Sequence, residues 1–366
     1  MRHNFFILII ALLIASIGII SIYSSTYQKE GNLWQEIYKR QILWVLLGLF
    51  CFLFVSNMDY RRLWDWTYFL YAACLFLLLL VFILGAIRLG AQRWLKFAWF
   101  NFQPSEFAKI CLAIFLARYF SKKSVNDISL LSYKFGIFRG IILPFIFVAI
   151  PVGLIIEQPD LGSGLMIVFL FIAMLYLTNV RLRYIMIFLA IMLIPVPFMW
   201  HFLRDYQKER LLVFLNPNID PLGAGYTVIQ SKIAIGSGII FGKGWLSGTQ
   251  GQLHFLPESH TDFIFASFGE EWGFFGCAVL LLLYYLLVQQ GLRIAKRTND
   301  DFGKLLAYGI SLMLGIQVFI NVAMNMGLAP VVGVPLPLMS YGGSSVLVTF
   351  ISLGILTSIE RKRAVF

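Results

Sequence analysis

FFILIIALLIASIGIISIYSS, at residues 5–25, is an apolar run without a charged side chain. A helix needs about 20 such residues to cross a hydrocarbon layer about 30 Å thick. The run is also longer than the apolar part of a secretory signal peptide, which has about 7–15 residues. We therefore predict an uncleaved first membrane span here.

Similar runs recur along the whole chain of 366 residues, of which 60% are hydrophobic and 13% are charged. This composition excludes a soluble globular protein. No repeat or hydrophilic linker divides the chain, so the sequence predicts one polytopic domain, residues 1–366, of the all-α integral membrane class. The predicted spans, about ten in number, lie near 5–23, 42–58, 66–87, 105–120, 139–156, 163–178, 184–202, 272–290, 303–326 and 342–359.

Residues 203–271, between the seventh and eighth spans, form the only long predicted loop. This loop is rich in apolar residues, so we expect it to be partly embedded in the membrane. With the N-terminus inside, the cytoplasmic loops carry more of the 29 Lys and Arg residues than the outer loops do. The sequence therefore predicts that both termini are cytoplasmic and that the long loop faces outward. The net charge of +11 is then better explained by anionic lipid headgroups than by nucleic acid.

Acidic residues cluster in LPESHTDFIFASFGEEWGFFG, residues 256–276, although the chain has few charges. Four interpretations of Asp262 remain open from these residues alone. It could cap the following helix, bind a metal with His260, join a structural ion pair, or act as a base whose pKa is raised by burial. Glu270 and Glu271 lie where the eighth span begins, where acidic residues favour the helix dipole.

Cations and carboxylates from several predicted outer loops fall on the same side of the membrane as Asp262. This distribution is typical of a site for a substrate that carries phosphate, with a base nearby. The candidate substrate-binding residues are Arg93, Lys96, Asp160, Arg210, Lys243, Glu258 and His260.

Glycines recur in the outer segment around residues 236–248, as they do in a phosphate-binding loop. The pattern GxxxxGK[ST] is not met, because Ser237 stands where glycine is required and Gly244 where serine or threonine is required. An alternative remains that the glycines only allow an embedded segment to pack closely.

The fourth span contains two ionisable residues, Glu106 and Lys109, which are three positions apart and share one helix face. Charges inside a membrane are costly and commonly line a functional cavity. A pair that only neutralises itself is the alternative. Gln103 and Ser105 precede the pair and complete the candidate group that supports the cavity.

Several motifs resemble those of the shape, elongation, division and sporulation (SEDS) family. They cover nearly the whole chain, and the segment GKGWLSGTQGQLHFLPESHTDFIFA is most similar to elongation members rather than division members. The motifs are QPSEFAK at 103–109, QPDLGSG at 158–164, YTVIQSKIAIGSG at 226–238, PESHTDFIFA at 257–266, EEWGFFG at 270–276 and PLPLMSYGGSS at 335–345.

The resemblance implies a peptidoglycan glycosyltransferase that polymerises lipid II on the outer face of the bacterial cytoplasmic membrane. It implies a class B penicillin-binding protein and other elongation-complex membrane proteins as partners. Asp262 matches the family's essential aspartate, which makes it our candidate general base. The residues indicate no metal ligands and no certain cofactor, while the resemblance allows a divalent cation, Mg²⁺ or Mn²⁺, at the diphosphate.

Two other functions fit the same architecture. A lipid II flippase would also have about ten spans and a polar cavity, but its essential polar groups should lie near the middle of the membrane. A non-catalytic scaffold that activates a penicillin-binding protein would tolerate replacement of Asp262.

Overall fold

The computed structural model describes most of the chain as a bundle of helices. The described residues are 4–27, 36–88, 91–96, 101–121, 138–178, 180, 182–194, 205–223, 225–253 and 255–362.

In the described part of the chain, a helix lies at each of the ten predicted spans, seven before the long loop and three after it. Only a short part of the seventh helix, α7, is described. The first group is α1 (Asn4–Thr26), α2 (Ile37–Asn57), α3 (Arg62–Leu84), α4 (Pro104–Ser121), α5 (Leu143–Glu157), α6 (Leu161–Leu177) and α7 (Leu182–Leu193). Within the long loop lie α8 (Asp205–Leu215), a 3-10 turn (Pro217–Ile219), α9 (Tyr226–Ser237) and α10 (Thr249–Gln252). The last group is α11 (Ile264–Arg297), α12 (Asp301–Asn325) and α13 (Gly343–Lys362).

Seven of the described helices are long and apolar enough to cross a membrane. They are α1, α2, α3, α5 with the turn before it, α11, α12 and α13. Of the other three, α6 and α7 are shorter, and α4 carries Glu106, Lys109 and Arg118. The predicted class, an all-α integral membrane protein, is confirmed.

A small antiparallel sheet, which the sequence did not predict, follows α3. Its strands are β1 (Gly85–Arg88), β2 (Ala91–Lys96) and β3 (Asn101–Phe102), in the order β1-β2-β3. Gly85 pairs with Leu95, and Leu95 pairs with Phe102. The sheet begins directly after the third span ends at Leu84, and its strand β2 packs against α3 and α4.

Helices α4, α12 and α13 form the core of the bundle. Almost every residue of α4 is buried, and α4 packs between α3, α12 and α6. Helix α13 packs along α2, where a side chain at Gly48 would collide with the Phe350 ring at 2.3 Å. These contacts bring the starts of α4, α6 and α13 together at one end of the bundle.

Candidate functional site

Asp262 lies in a turn at the start of α11. The N–H groups of Thr261 and Phe263 donate to the Glu258 carbonyl at 3.1 and 3.3 Å, which closes the turn. No side-chain hydrogen bond caps the helix from its N-cap residue Phe263. Asp262 lies one residue before the N-cap position, which does not favour the N-cap interpretation.

Two asparagines of α12 hold this turn from one side. The Nδ2 groups of Asn321 and Asn325 donate to the Asp262 carbonyl oxygen at 3.0 and 2.9 Å. The Asn325 side chain also accepts from the Ala266 N–H at 3.1 Å, so it satisfies a free donor at the start of α11. Both asparagines are fully buried. Neither asparagine was predicted from the sequence to belong to the site, although two amides four residues apart in an apolar span are a signal that the sequence contains.

The loop before α13 holds the turn from the other side. Ser340 Oγ donates to the Thr261 carbonyl at 2.6 Å, and the Tyr341 N–H donates to the His260 carbonyl at 3.0 Å. The His260 ring is buried, and its centroid lies 6.0 Å from that of Tyr341. The backbone of Asp262 is therefore fixed between α12 and the loop at 335–341.

The carboxyl group of Asp262 is half-buried, and its surroundings change its acidity. Burial raises the pKa of Asp262 from 3.8 to about 6, and the negative charges of Glu258 and Asp160 add to the rise. The positive charges of Arg93 and Arg210 lower the pKa. Such a value suits a general base near neutral pH.

Arg93 and Asp262 both lie beside Gly333. A Cβ atom built on Gly333 would lie 3.4 Å from Asp262 Oδ2 and 3.8 Å from Arg93 Nη1. Gly333 has a φ of +71°, a conformation that other residues seldom adopt. The small sheet and the loop before α13 thus bring a guanidinium and a carboxylate to one position.

Asp160 joins three helix starts. Its carboxylate accepts from Ser105 Oγ at 2.7 Å, from Gln103 Nε2 at 2.9 Å and from the Ser163 N–H at 3.2 Å, which caps α6. The Gln103 N–H donates in turn to Ser344 Oγ at 3.0 Å on α13. The three motifs QPSEFAK, QPDLGSG and PLPLMSYGGSS therefore meet through one buried hydrogen-bond network.

Glu106 and Lys109 form a fully buried ion pair. Lys109 Nζ lies 2.7 Å from Glu106 Oε1 and 3.3 Å from the side-chain oxygen of Gln317 on α12. Gln317 Nε2 donates to the Pro335 carbonyl at 2.9 Å. The pair thus connects α4 with α12 and with the loop that supports the Asp262 turn.

Lys243, a candidate substrate-binding residue, forms an ion pair with a buried carboxylate. Its Nζ lies 2.6 Å from Glu270 Oε1, and Glu270 is 1% exposed. The same carboxylate accepts from the N–H and hydroxyl of Thr249 at 2.8 Å and from the Gln250 N–H at 3.0 Å. Glu270 therefore holds the segment around α10, and Lys243 belongs to that cluster.

The other candidates differ in exposure. Lys96, Arg210 and Glu258 are exposed, and Thr261 Oγ1 donates to Glu258 Oε2 at 3.0 Å. The charges with the largest effect on the pKa of Asp262 are those of Arg93, Glu258, Arg210 and Asp160. Lys96 is not among them.

The glycine-rich segment packs into a break in α11. Gly273 has a φ of +64°, so α11 consists of two helices joined at this residue. The N–H groups of Phe274 and Phe275 donate to the carbonyls of Ile239 and Ile240 at 2.9 and 3.0 Å. In return, the N–H groups of residues 243 and 244 donate to the last carbonyls of the first half, at residues 270 and 271, each at 3.0 Å. This exchange favours the packing interpretation of the glycines.

Within the described part of the chain, no group of three or more His, Cys, Asp or Glu side chains is arranged to hold a metal ion. The described side chains alone therefore do not form a site for a resident divalent cation.

Residues 4–365 match the family model described as "Cell cycle protein", which groups FtsW, RodA and SpoVE. The chain belongs to the SEDS family. Among SEDS relatives, it is 42% identical to "Peptidoglycan glycosyltransferase MrdB" of Escherichia coli (strain K12), over 98% of this chain and 92% of that protein. It is 36% identical to "Probable peptidoglycan glycosyltransferase FtsW" of Geobacter metallireducens, over 99% of this chain and 95% of that protein.

Solved SEDS-type structures have the same fold. The chain matches a structure titled "Structural coordination of polymerization and crosslinking by a peptidoglycan synthase complex" with a TM-score of 0.81 and 30% identity. It matches the Thermus thermophilus rod shape determining protein RodA with a TM-score of 0.71 and 27% identity. In both cases the match covers 98% of this chain and 97% of the other.

Proposed function

We propose that this SEDS protein is a peptidoglycan glycosyltransferase that polymerises lipid II into glycan strands during cell elongation, with Asp262 as the general base. The names of its relatives support the activity. The observation that carries the role of Asp262 is a half-buried carboxylate with a pKa of about 6 on a backbone fixed by Asn321, Asn325 and Ser340.

The reaction needs a base for the acceptor sugar. As the acceptor hydroxyl oxygen attacks the anomeric carbon of the donor, its proton passes to the Asp262 carboxylate. A C–O bond forms at the anomeric carbon while the C–O bond to the diphosphate breaks. Direct attack inverts the α-linkage of the donor and gives a β-linked glycan.

The leaving undecaprenyl diphosphate carries growing negative charge, which fixed cations can stabilise. Arg93 is our first candidate, because it lies beside the same glycine as the base. Arg210 is the second, since its charge also acts on Asp262. Glu258 and His260 flank the base along the chain and are candidates for sugar contacts, and the exposed Lys96 is a candidate for the headgroup. Lys243, whose Nζ is paired with Glu270, is a further candidate for contact with an anionic group of the substrate.

Two buried groups would keep the site in shape. Asp160 with Gln103 and Ser105 joins three helix starts, and the Glu106–Lys109 pair with Gln317 supports the loop at 335–341. A fixed base and fixed cations need no rearrangement as charge develops.

A Mg²⁺ or Mn²⁺ ion would have to take most of its ligands from the diphosphate and water. Magnesium commonly uses only one or two protein carboxylates together with substrate phosphates. Activity measured with and without a chelator tests whether the reaction requires such an ion.

The proposed setting is the bacterial inner membrane, with both termini cytoplasmic and Asp262 on the outer side. The proposed partner is a class B penicillin-binding protein, whose transpeptidase would cross-link the new strands. The similar structure of a complex that coordinates polymerisation and crosslinking supports such a partner.

The test uses purified protein with its penicillin-binding partner and lipid II. We expect Asp262→Asn to abolish glycan formation, whereas the control Asp220→Asn, in the same outer segment, polymerises like the wild type. Complex formation and melting temperature are measured for each protein. Normal polymerisation by Asp262→Asn contradicts the base assignment, and a wild type that only moves lipid II across vesicles contradicts the transferase function.

A further inference from the structure

A cavity lies at the end of the bundle away from Asp262. Its volume is about 460 Å³, and we call it the basic-end pocket; it is lined by Phe54, Asn57, Met58, Asp59, Arg62 and Lys362. Near the other end of α2, Gln41 Nε2 donates to the Ser340 carbonyl at 3.2 Å, next to the Asp262 turn. From Gln41 to Asn57, α2 rises about 24 Å at about 1.5 Å per residue. The pocket is therefore separate from the candidate active site.

Hydrogen bonds join the wall of the pocket to α13. Ser358 Oγ on α13 donates to the Met58 carbonyl at 2.6 Å, and the Tyr60 N–H donates to Ser358 Oγ at 3.2 Å. Arg361 Nη1 donates to Asn57 Oδ1 at 2.7 Å. The turn between α2 and α3 is thus fastened to the end of α13, and the cavity is a preformed feature.

The charge of the pocket is mainly positive. Arg62 and Lys362 line it, and within the described part of the chain neither forms an ion pair at 4 Å or less. Asp59 is the only acidic residue of the lining, and its Oδ1 already accepts from the Arg61 N–H at 3.0 Å. Two cations beside one carboxylate, of which one oxygen already accepts a hydrogen bond, favour an anionic ligand. A guanidinium can bind a phosphate with two hydrogen bonds.

An apolar surface leads to the pocket along α2. Leu43, Leu46, Phe50 and Phe54 are spaced by three or four residues, so they share one helix face. Each is more than half exposed, from 56% at Leu46 to 68% at Phe50. In a membrane-spanning helix this face contacts acyl chains, and it ends at Phe54 in the pocket wall.

We propose that the basic-end pocket binds the headgroup of an anionic phospholipid. The phosphate lies between Arg62 and Lys362, and the acyl chains follow the exposed face of α2. Basic pockets between membrane helices are suited to such headgroups. The volume is within the range of about 300–1,000 Å³ that is usual for small-ligand sites.

The experiment is native mass spectrometry of the purified full chain, titrated separately with phosphatidylglycerol and phosphatidylcholine. Each cation near a membrane surface contributes about 1 kcal/mol to attraction of anionic lipid. We therefore expect the double variant Arg62→Gln/Lys362→Gln to bind phosphatidylglycerol on the order of thirtyfold more weakly. The control Arg293→Gln/Lys304→Gln removes two exposed cations elsewhere and should bind like the wild type.

A second variant, Met58→Trp, fills the pocket without changing its charge and should weaken phosphatidylglycerol binding as well. Melting temperatures show whether each variant is folded. If the double variant does not fold, the binding measured with Met58→Trp tests the proposal. Unchanged phosphatidylglycerol binding in the pocket variants overturns the proposal. Wild-type protein that binds phosphatidylcholine as tightly as phosphatidylglycerol also overturns the proposal. If the control variant loses as much phosphatidylglycerol binding as the pocket variants, the effect is one of general surface charge, and the assignment to this pocket is overturned.

Discussion

At the scale of single residues, the environment of Asp262 decides what its carboxyl group can do. In water an aspartate with a pKa near 3.8 is a weak base at neutral pH. Partial burial, with Glu258 and Asp160 nearby, raises the pKa to about 6, while Arg93 and Arg210 limit the rise. The side chain therefore stays ionised above pH about 6 yet accepts a proton more readily.

The pH dependence of polymerisation should report this pKa. We expect kcat/KM to rise with pH to a plateau with a midpoint near pH 6, because only ionised Asp262 accepts the proton. Glu258→Gln removes a negative charge and should move the midpoint to lower pH, whereas Arg93→Gln should move it to higher pH. Rates of lipid II polymerisation from pH about 5 to 8.5 test this. The same midpoint in all three proteins would contradict the role of Asp262.

The same shift predicts a cost in stability. Because the folded pKa exceeds the unfolded one, the folded protein loses stability as pH rises from about 4 to about 6, and the loss persists above that window. Asp262→Asn removes the buried charge, so it should melt higher than the wild type near pH 7.5. A shift of about two pKa units sets an upper limit of about 3 kcal/mol. Melting curves near pH 4, where the difference should vanish, are the control.

At the scale of elements, α11 is two helices whose broken ends are completed by another segment. In the hydrocarbon region unsatisfied backbone groups are costly, so a break survives only where protein supplies the partners. The carbonyls of residues 239 and 240 and the N–H groups of residues 243 and 244 supply them. The outer segment is therefore part of the fold of α11.

Gly273→Ala should disrupt this junction. Its Cβ would lie 2.3 Å from the Gly242 nitrogen, and its φ of +64° with ψ of −163° is open almost only to glycine. We expect a loss of about 3 kcal/mol or more, seen as a lower melting temperature and lower activity. Gly236→Ala is the matched control, since nothing lies within 4 Å of its Cβ. Equal melting of Gly273→Ala and wild type would disprove the junction.

A double-mutant cycle separates the two possible roles of Lys243. Lys243→Gln leaves buried Glu270 without its counter-ion and should cost about 1–3 kcal/mol. Lys243→Gln/Glu270→Gln should recover part of the lost stability and activity, because the unpaired buried charge is removed while the amide oxygen at position 270 can still accept from Thr249. Recovered stability without recovered polymerisation would show instead that Lys243 contacts the substrate.

At the scale of the whole molecule, the candidate site belongs to no single element. Asp262 precedes α11, Arg93 lies on β2, and Asp160 caps α6. The Lys and Arg distribution predicts that these residues face outward, at the end of the bundle opposite the basic-end pocket.

Cysteine labelling tests this orientation. Leu222→Cys, at a side chain that is 88% exposed, should react with an impermeant maleimide on intact spheroplasts. Lys304→Cys, at an exposed position at the start of α12, should react only after permeabilisation. Wild type gives the background, since Cys74, Cys111 and Cys277 are buried. The opposite pattern would reverse the proposed topology.

The sequence by itself determined the membrane class and the approximate positions of the helices. In a bilayer each segment must satisfy its own backbone groups, so an apolar run of sufficient length specifies a helix without reference to its neighbours. The sequence also singled out Asp262, because the HTDF motif makes it recognisable. The structure differs where segments depend on each other: β1–β3 were not predicted, and α11 begins at Ile264, before the predicted start at 272.

Only the tertiary structure decided which polar residues meet. It brought Asn321 and Asn325 under the Asp262 carbonyl, and it paired Lys243 with Glu270. These partners are far apart in sequence, and their contacts follow from how helices cross and pack. A single apolar run does not predict how its helix crosses a neighbouring helix, because lipid-facing and helix-facing positions are filled by the same apolar side chains.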